Sequence, residues 1–188
     1  MRIVAGAYRG RTLVAPKGHS TRPTADRARQ ALYNVLEHAT WGRTLVGARV
    51  IDGFAGAGAL GLEALSRGAA FCLFADTDRA ARSAIEANLA ALGCADRARM
   101  LVQDMTRVGP RGGEAPFDLV FLDPPYRSGL AETTLAALAR GDWLADGALA
   151  VVERGEGEGP LAPPEFTHLD ERTWGKARVS FLRFNPRP

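Results

Sequence analysis

The stretch Phe117-Asp118-Leu119-Val120-Phe121-Leu122-Asp123-Pro124-Pro125-Tyr126 constrains this chain more than any other. Its near-continuous apolar run is the mark of a strand covered on both faces, as in a parallel sheet with helices on either side. The run then delivers a carboxylate and stops at two prolines. Proline cannot donate to a sheet ladder, so Pro124 and Pro125 fix the strand's end. The first ring also biases Asp123 towards an extended backbone. A carboxylate, stiff backbone carbonyls and an aromatic face therefore share one strand end.

A βαβ rhythm surrounds that strand. Residues 48–52 predict a first strand, 53–58 a glycine-rich turn, and 59–65 a helix of small and apolar residues. A second strand over 70–75 ends in Asp76-Thr77-Asp78. Asp78 is placed to cap a helix over 79–92 that Gly93 closes. A third strand over 98–102 ends at Gln103-Asp104. The strand at 117–122 is followed by a helix over 130–140 and a fifth strand over 147–152. Residues 154–166 form a flexible Gly/Pro-rich linker, and 167–170 and 178–184 add two strands around Trp174-Gly175-Lys176. The expected class is α/β and Rossmann-like: a mostly parallel seven-stranded sheet, helices on both faces, an antiparallel C-terminal hairpin and a small N-terminal β-hairpin. The expected domains are a basic hairpin and linker over 1–23 and a catalytic domain over 24–188.

Charge is segregated along the chain. Residues 1–49 hold nine basic groups against two acidic ones, a net +7; residues 50–166 net −7, and 167–188 net +3. Only two of the 24 basic residues are lysine, which a GC-rich genome would explain, but composition bias does not explain segregation. A basic end on an acidic body points to a polyanion partner. Residues 2–5 and 11–14 predict two short strands, with Tyr8, Arg9 and Arg11 crowding the turn, which suits contact with an RNA or DNA backbone and base stacking. Further on, Arg22-Pro23-Thr24-Ala25-Asp26-Arg27 predicts a loop entering a helix, with Thr24 as its N-cap.

The turn Asp52-Gly53-Phe54-Ala55-Gly56-Ala57-Gly58 allows a ligand close to the backbone. Gly56-Ala57-Gly58-Ala59-Leu60-Gly61 also fits the G-x-G-x-x-G spacing of dinucleotide sites, a weak signal alone. Asp52 argues against a diphosphate, which a carboxylate repels, and for the ammonium and sulfonium of S-adenosylmethionine. Asp76 ends the second strand, where a carboxylate can hold ribose hydroxyls, and Asp104 ends the third, where one can accept from an adenine amine. Acids at three successive strand ends outline a cofactor crevice. Beside it, Asp123 and the Pro124 carbonyl would accept from an exocyclic amine and favour the pyramidal nitrogen that attacks a methyl group. Tyr126 would stack on the base.

Asp123-Pro124-Pro125-Tyr126 resembles the tetrapeptide of the methyltransferases that act on exocyclic amines. Arg2-Ile3-Val4-Ala5-Gly6, Tyr8-Arg9-Gly10-Arg11, Arg22-Pro23-Thr24 with Asp26-Arg27, Phe54 to Ala64 and Trp143-Leu144-Ala145 more specifically resemble the RsmD family. The resemblance runs from residue 2 into the 140s, with a looser tail. It implies methylation of guanine N2 in 16S ribosomal RNA, with S-adenosylmethionine as cofactor. Cofactor contacts are implied for Asp52, Phe54, Ala55, Gly56, Gly58, Asp76, Thr77, Asp104, Met105 and Thr24. Asp123, Pro124, Pro125 and Tyr126 are implied as catalytic, and Arg2, Tyr8, Arg9, Arg11, Arg22 and Arg27 as RNA contacts. Gly53 stands where the family often has a bulkier residue.

The expected partner is 16S ribosomal RNA within an assembling or assembled small subunit, met by a monomer in the cytoplasm. Neither the histidines (His19, His38, His168) nor the cysteines (Cys72, Cys94) show a metal-ligand spacing, so no metal is expected. No apolar run reaches the ~18 residues of a membrane span. The competing readings are adenine-N6 methylation of DNA or RNA, an NAD-dependent oxidoreductase, and a non-catalytic nucleic-acid module.

Overall fold

The computed structural model describes residues 1–16 and 23–186, and side chains from Asp26 onward in the second stretch. Among the described residues are four helices, α1 (Pro23–His38), α2 (Ala59–Ser66), α3 (Arg79–Leu92) and α4 (Leu130–Arg140). Seven strands accompany them: β1 (Arg49–Gly53), β2 (Phe71–Ala75), β3 (Ala98–Leu101), β4 (Phe117–Leu122), β5 (Leu144–Gly155), β6 (Phe166–Trp174) and β7 (Ala177–Phe184). The chain divides into two compact units, Met1–Val102 and Gln103–Pro188. The expected boundary after residue 23 abuts residues 17–22, which lie outside the described ones.

In the first unit β2 lies between β1 and β3, parallel to both, with Asp52 opposite Phe74 and Phe74 opposite Met100. β1 and β2 are buried after their first residues, as their apolar sequences require. Asp78 caps α3 by accepting from Ala80 N and Ala81 N, and Gly93 ends it with φ 65. α3 buries Ala81, Ala84, Ile85, Leu89 and Leu92 on one stripe. Helix α1 begins at Pro23, so Thr24 lies inside its first turn and not at its cap. Proline suits that first position because its missing N–H would be unpaired there anyway.

The N-terminal segment differs from the expected hairpin. Its backbones pair at one antiparallel bridge, Arg2 with Thr12, so the two strands expected over 2–5 and 11–14 do not form. Ile3 N donates to the Arg11 carbonyl and Leu13 N to that of Met1, but the ladder goes no further: Ala5 N, the next donor on its side, goes to the buried Glu63 carboxylate of α2, and Arg11 N turns back to the Tyr8 carbonyl. α2 holds the rest of the segment as well, with Val4 N donating to Glu63 and Ala7 N and Tyr8 N to Ser66.

In the second unit β4 runs parallel to β5, β5 antiparallel to β7, and β7 antiparallel to β6. β5 and β6 are longer than expected, because Arg154 and Gly155 continue the β5 ladder against Arg178 and Ala177, and β6 runs to Trp174. The flexible linker expected from residue 154 therefore starts two residues later. What remains of it is tied down: Arg154 donates to the Gly159 carbonyl and Arg178 Nη1 to the Glu158 carbonyl at 3.0 Å. β4 packs Phe117 against Trp143, with ring centroids 6.0 Å apart. No described helix is long and apolar enough to cross a membrane.

Candidate functional site

The first unit carries the glycine turn. Three of its residues adopt left-handed backbone, Phe54 (φ 58), Gly56 (φ 56) and Gly58 (φ 75). The turn is stitched to the end of β2, since Ala55 N donates to the Ala75 carbonyl at 3.2 Å and Gly56 N to Asp76 Oδ2 at 2.9 Å. Asp76 Oδ1 accepts from Asp78 N at 2.8 Å. Each Asp76 oxygen thus holds one backbone N–H and keeps capacity for a second donor, such as a hydroxyl. A Cβ at Gly56 would meet nothing within 4 Å, so open space lies beside the turn. Thr77 is exposed, and its carbonyl accepts from Arg82 Nη1 at 2.7 Å.

Asp52 has a structural partner that its strand-end position did not announce. It is 2% exposed, and its Oδ2 accepts from Gly61 N at 2.7 Å inside the first turn of α2. The cap position, Gly58, has no side chain to offer, so Asp52 caps the helix from β1. Its visible work is to shape the turn. Gly61, the last glycine of the dinucleotide-like spacing, has a packing explanation: a Cβ there would lie 2.4 Å from Phe74 Cε1 and 2.5 Å from Cys72 Sγ.

Of the expected RNA contacts, Arg2, Arg9, Arg11 and Arg27 are exposed, with Arg2 beside Asp26 at 3.7 Å and Arg11 Nη2 donating to the Ala91 carbonyl at 2.7 Å. Tyr8 is half-buried: its hydroxyl accepts from Arg97, whose guanidinium lies 5.9 Å from the ring centre. Arg22 lies outside the described residues, and so does the Thr24 side chain.

The second unit carries the tetrapeptide. Asp123 follows the last residue of β4, Pro124 is buried, and Pro125 and Tyr126 are exposed. Protein crowding around the Asp123 carboxyl raises it to about 7, and the Glu153 carboxylate adds to the rise. The residue as a whole keeps an open face, so solvent tempers the shift while its upward direction stands. Tyr126 Oη donates to Glu153 Oε1 at 2.9 Å, and the residue remains 51% exposed. Desolvation first and then Glu153 push the phenol well above its usual range. A cavity of about 280 Å³ opens beside Pro124 and Pro125, with Glu153 and Glu158 in its wall.

Asp104 is exposed, and its Oδ1 accepts from both Thr106 N and Thr106 Oγ1, at 2.9 and 2.7 Å. The hydroxyl bond, followed by the amide bond, holds its carboxyl below the usual range. Met105 is 2% exposed, buried within the short turn Met105–Arg107.

Four residues of structural consequence were not singled out from the sequence. Glu153 stands at the carboxyl half of β5 after Val151-Val152, the same strand-end logic that marks Asp52, Asp76, Asp104 and Asp123. Glu63 is the one charged residue of α2, which is apolar but for Ser66. Asn88 joins Val14 to the glycine turn, accepting from Val14 N and donating to the Val14 and Ala57 carbonyls. Glu158, in a Gly/Pro-rich loop, has no sequence signal at all.

Comparison with known proteins adds a consistent picture. A family model described as Conserved hypothetical protein 95 matches residues 1–183. Ribosomal RNA small subunit methyltransferase D of Escherichia coli (strain K12) is 39% identical over 177 residues, covering 94% of this chain and 86% of that protein. Its namesake in Haemophilus influenzae is 36% identical, covering 93% and 89%. A solved structure of the Escherichia coli protein yhhF superposes with a TM-score of 0.83 at 38% identity, covering 100% of this chain and 99% of that one. Ribosomal protein L11 methylase from Lactobacillus delbrueckii subsp. bulgaricus shares the fold alone, at 16% identity and a TM-score of 0.69, covering 91% and 84%.

Proposed function

Since this chain belongs to the family of the ribosomal RNA small subunit methyltransferase D proteins, we propose that it moves a methyl group from S-adenosylmethionine to the N2 amine of one guanine in 16S ribosomal RNA. The fold is Rossmann-like, of the class I methyltransferase kind. The observation that carries the chemical reading is the end of β4, where Asp123, the two prolines and the exposed Tyr126 ring stand together with the tyrosine hydroxyl fixed on Glu153.

A guanine amine is a weak nucleophile because its lone pair is delocalised into the ring. The Asp123 carboxylate and the Pro124 carbonyl accept from its two N–H groups, which draws the nitrogen towards a pyramidal shape. Both acceptors gain strength as positive charge develops on that nitrogen, so they favour the transition state over the bound substrate. The Tyr126 ring stacks on the base and sets its angle. Asp123, with its raised affinity for protons, then takes the proton that the methylated amine sheds.

S-adenosylmethionine, when bound, supplies an electrophilic methyl group on a sulfonium. The glycine turn over Asp52–Gly58 leaves room for it, and Asp76 has acceptor capacity for ribose hydroxyls. Asp104, Met105, Thr77 and Thr24 complete the proposed cofactor contacts. Arg2, Arg9, Arg11, Arg22 and Arg27, with Tyr8 held by Arg97, form the proposed RNA-binding set. A single chain acts on the RNA of an assembling or assembled small subunit in the cytoplasm. The test is incubation with methyl-labelled cofactor and either small-subunit RNA particles or duplex DNA. Label in guanine of the RNA is expected; label only in DNA adenine would overturn the proposal.

A further inference from the structure

We propose that Glu158 is a positioning residue for the methyl-accepting site, clamping the turn after Tyr126 to the end of β5; this rests on the role given above to Asp123–Tyr126. One carboxylate oxygen does the clamping. Glu158 Oε1 accepts from Arg127 N at 2.9 Å and from Gly155 N at 2.8 Å. Arg127 directly follows Tyr126 and holds a left-handed backbone, φ 58, which a residue with a side chain adopts only when its surroundings enforce it. The Arg127 N–H bond is also the main reason why the Glu158 carboxyl lies below its usual range.

The clamp meets the tyrosine from a second side through Gly155. A Cβ at residue 155 would lie 2.9 Å from Tyr126 Cγ and 3.1 Å from Tyr126 Cβ, so the root of the ring rests against bare backbone. The hydroxyl is held by Glu153 at the far end. Tyr126 is thus fixed at its tip, at its root and through the peptide that follows it. The clamp has its own anchorage, because Arg178 Nη1 donates to the Glu158 carbonyl and the buried Arg154 to that of Gly159. Without Glu158, Arg127 relaxes to an ordinary backbone, and the ring that orients the base turns with it.

The experiment uses the full chain with Glu158→Gln, Glu158→Ala and Gly155→Ala. Ring resonances of 13C-labelled tyrosine, with Tyr126 assigned from Tyr126→Phe, report ring order independently of catalysis. Glutamine keeps an oxygen for both N–H groups, so E158Q should retain the Tyr126 resonance and most of kcat. E158A should shift that resonance and lower kcat by about tenfold or more, the scale on which small misplacements act, with the thermal midpoint and affinity for S-adenosylhomocysteine retained. G155A should shift the Tyr126 resonance too. An unmoved resonance in E158A, or an equal loss in E158Q and E158A, would overturn the clamp. Parent protein that orders Tyr126 through Glu158 yet methylates no RNA guanine would leave the clamp standing and sink the proposed reaction.

Discussion

Glu63→Gln is the sharpest probe of how the N-terminal segment is held. Glu63 is fully buried, and its two oxygens serve four donors: Val4 N at 2.8 Å and Arg29 Nε at 3.4 Å on Oε2, Ala5 N at 3.0 Å and Arg67 Nε at 2.9 Å on Oε1. The two arginines keep other carboxylates, Asp26 for Arg29 at 2.9 Å and Glu37 for Arg67 at 3.0 Å. Loss of charge therefore strands neither guanidinium. The penalty comes from geometry, because glutamine must turn an NH₂ group towards one pair of donors. Two buried bonds are lost at about 1–3 kcal/mol each, so E63Q should cost ~2–6 kcal/mol. For a chain of this length that lowers the thermal midpoint by roughly 4–24 °C. Urea unfolding followed by tryptophan fluorescence measures the loss, and faster tryptic cleavage after Arg2, Arg9 and Arg11 shows which segment has loosened. E63Q within about 0.5 kcal/mol of the parent, the range of an ordinary surface change, would refute the reasoning.

Gly61→Ala should destabilise by about 1–2 kcal/mol in urea unfolding, because overpacking against Phe74 and Cys72 outweighs the gain in helix propensity. Asp78→Ala should cost about 1 kcal/mol by the same measurement, through loss of the bonds to Ala80 N and Ala81 N. Asp123→Ala should lower methyl transfer by about a hundredfold or more in a single-turnover assay, with cofactor affinity kept. The raised pKa of Asp123 gives a further, signed expectation. The folded state holds its proton to a higher pH than the unfolded chain does, so ionisation on rising pH weakens the fold, by less than full burial would give because the residue keeps an open face. Asp123→Asn stays neutral, so its stability relative to the parent should climb between pH 4 and pH 7 and level off above. A difference that is flat across those pH values in urea titrations would count against the shift.

The sequence showed the tetrapeptide's place because its signals are local. A strand of large apolar residues ending at two prolines admits little else, and β4 and α4 run over the residues expected of them. The cap at Asp78 and the close at Gly93 were equally local. The N-terminal strands failed because propensity is silent about a distant competitor: Glu63, far along the chain, takes the Ala5 N–H that would continue the ladder. Asp52 illustrates the same limit. Its position at a strand end was legible, but its capping of α2 was not, because that depends on Gly58 bringing no side chain. Glu158 lay beyond reach, since only the folded loop brings it to Arg127.

The central claim is that this chain installs one methyl group on guanine N2 of small-subunit RNA. Mass-spectrometric mapping of that RNA, from cells with and without the protein, measures it directly. The account predicts one N2-methylguanine missing in its absence, restored by the parent chain and not by Asp123→Ala. RNA with an unchanged set of modified guanines in both strains would contradict it.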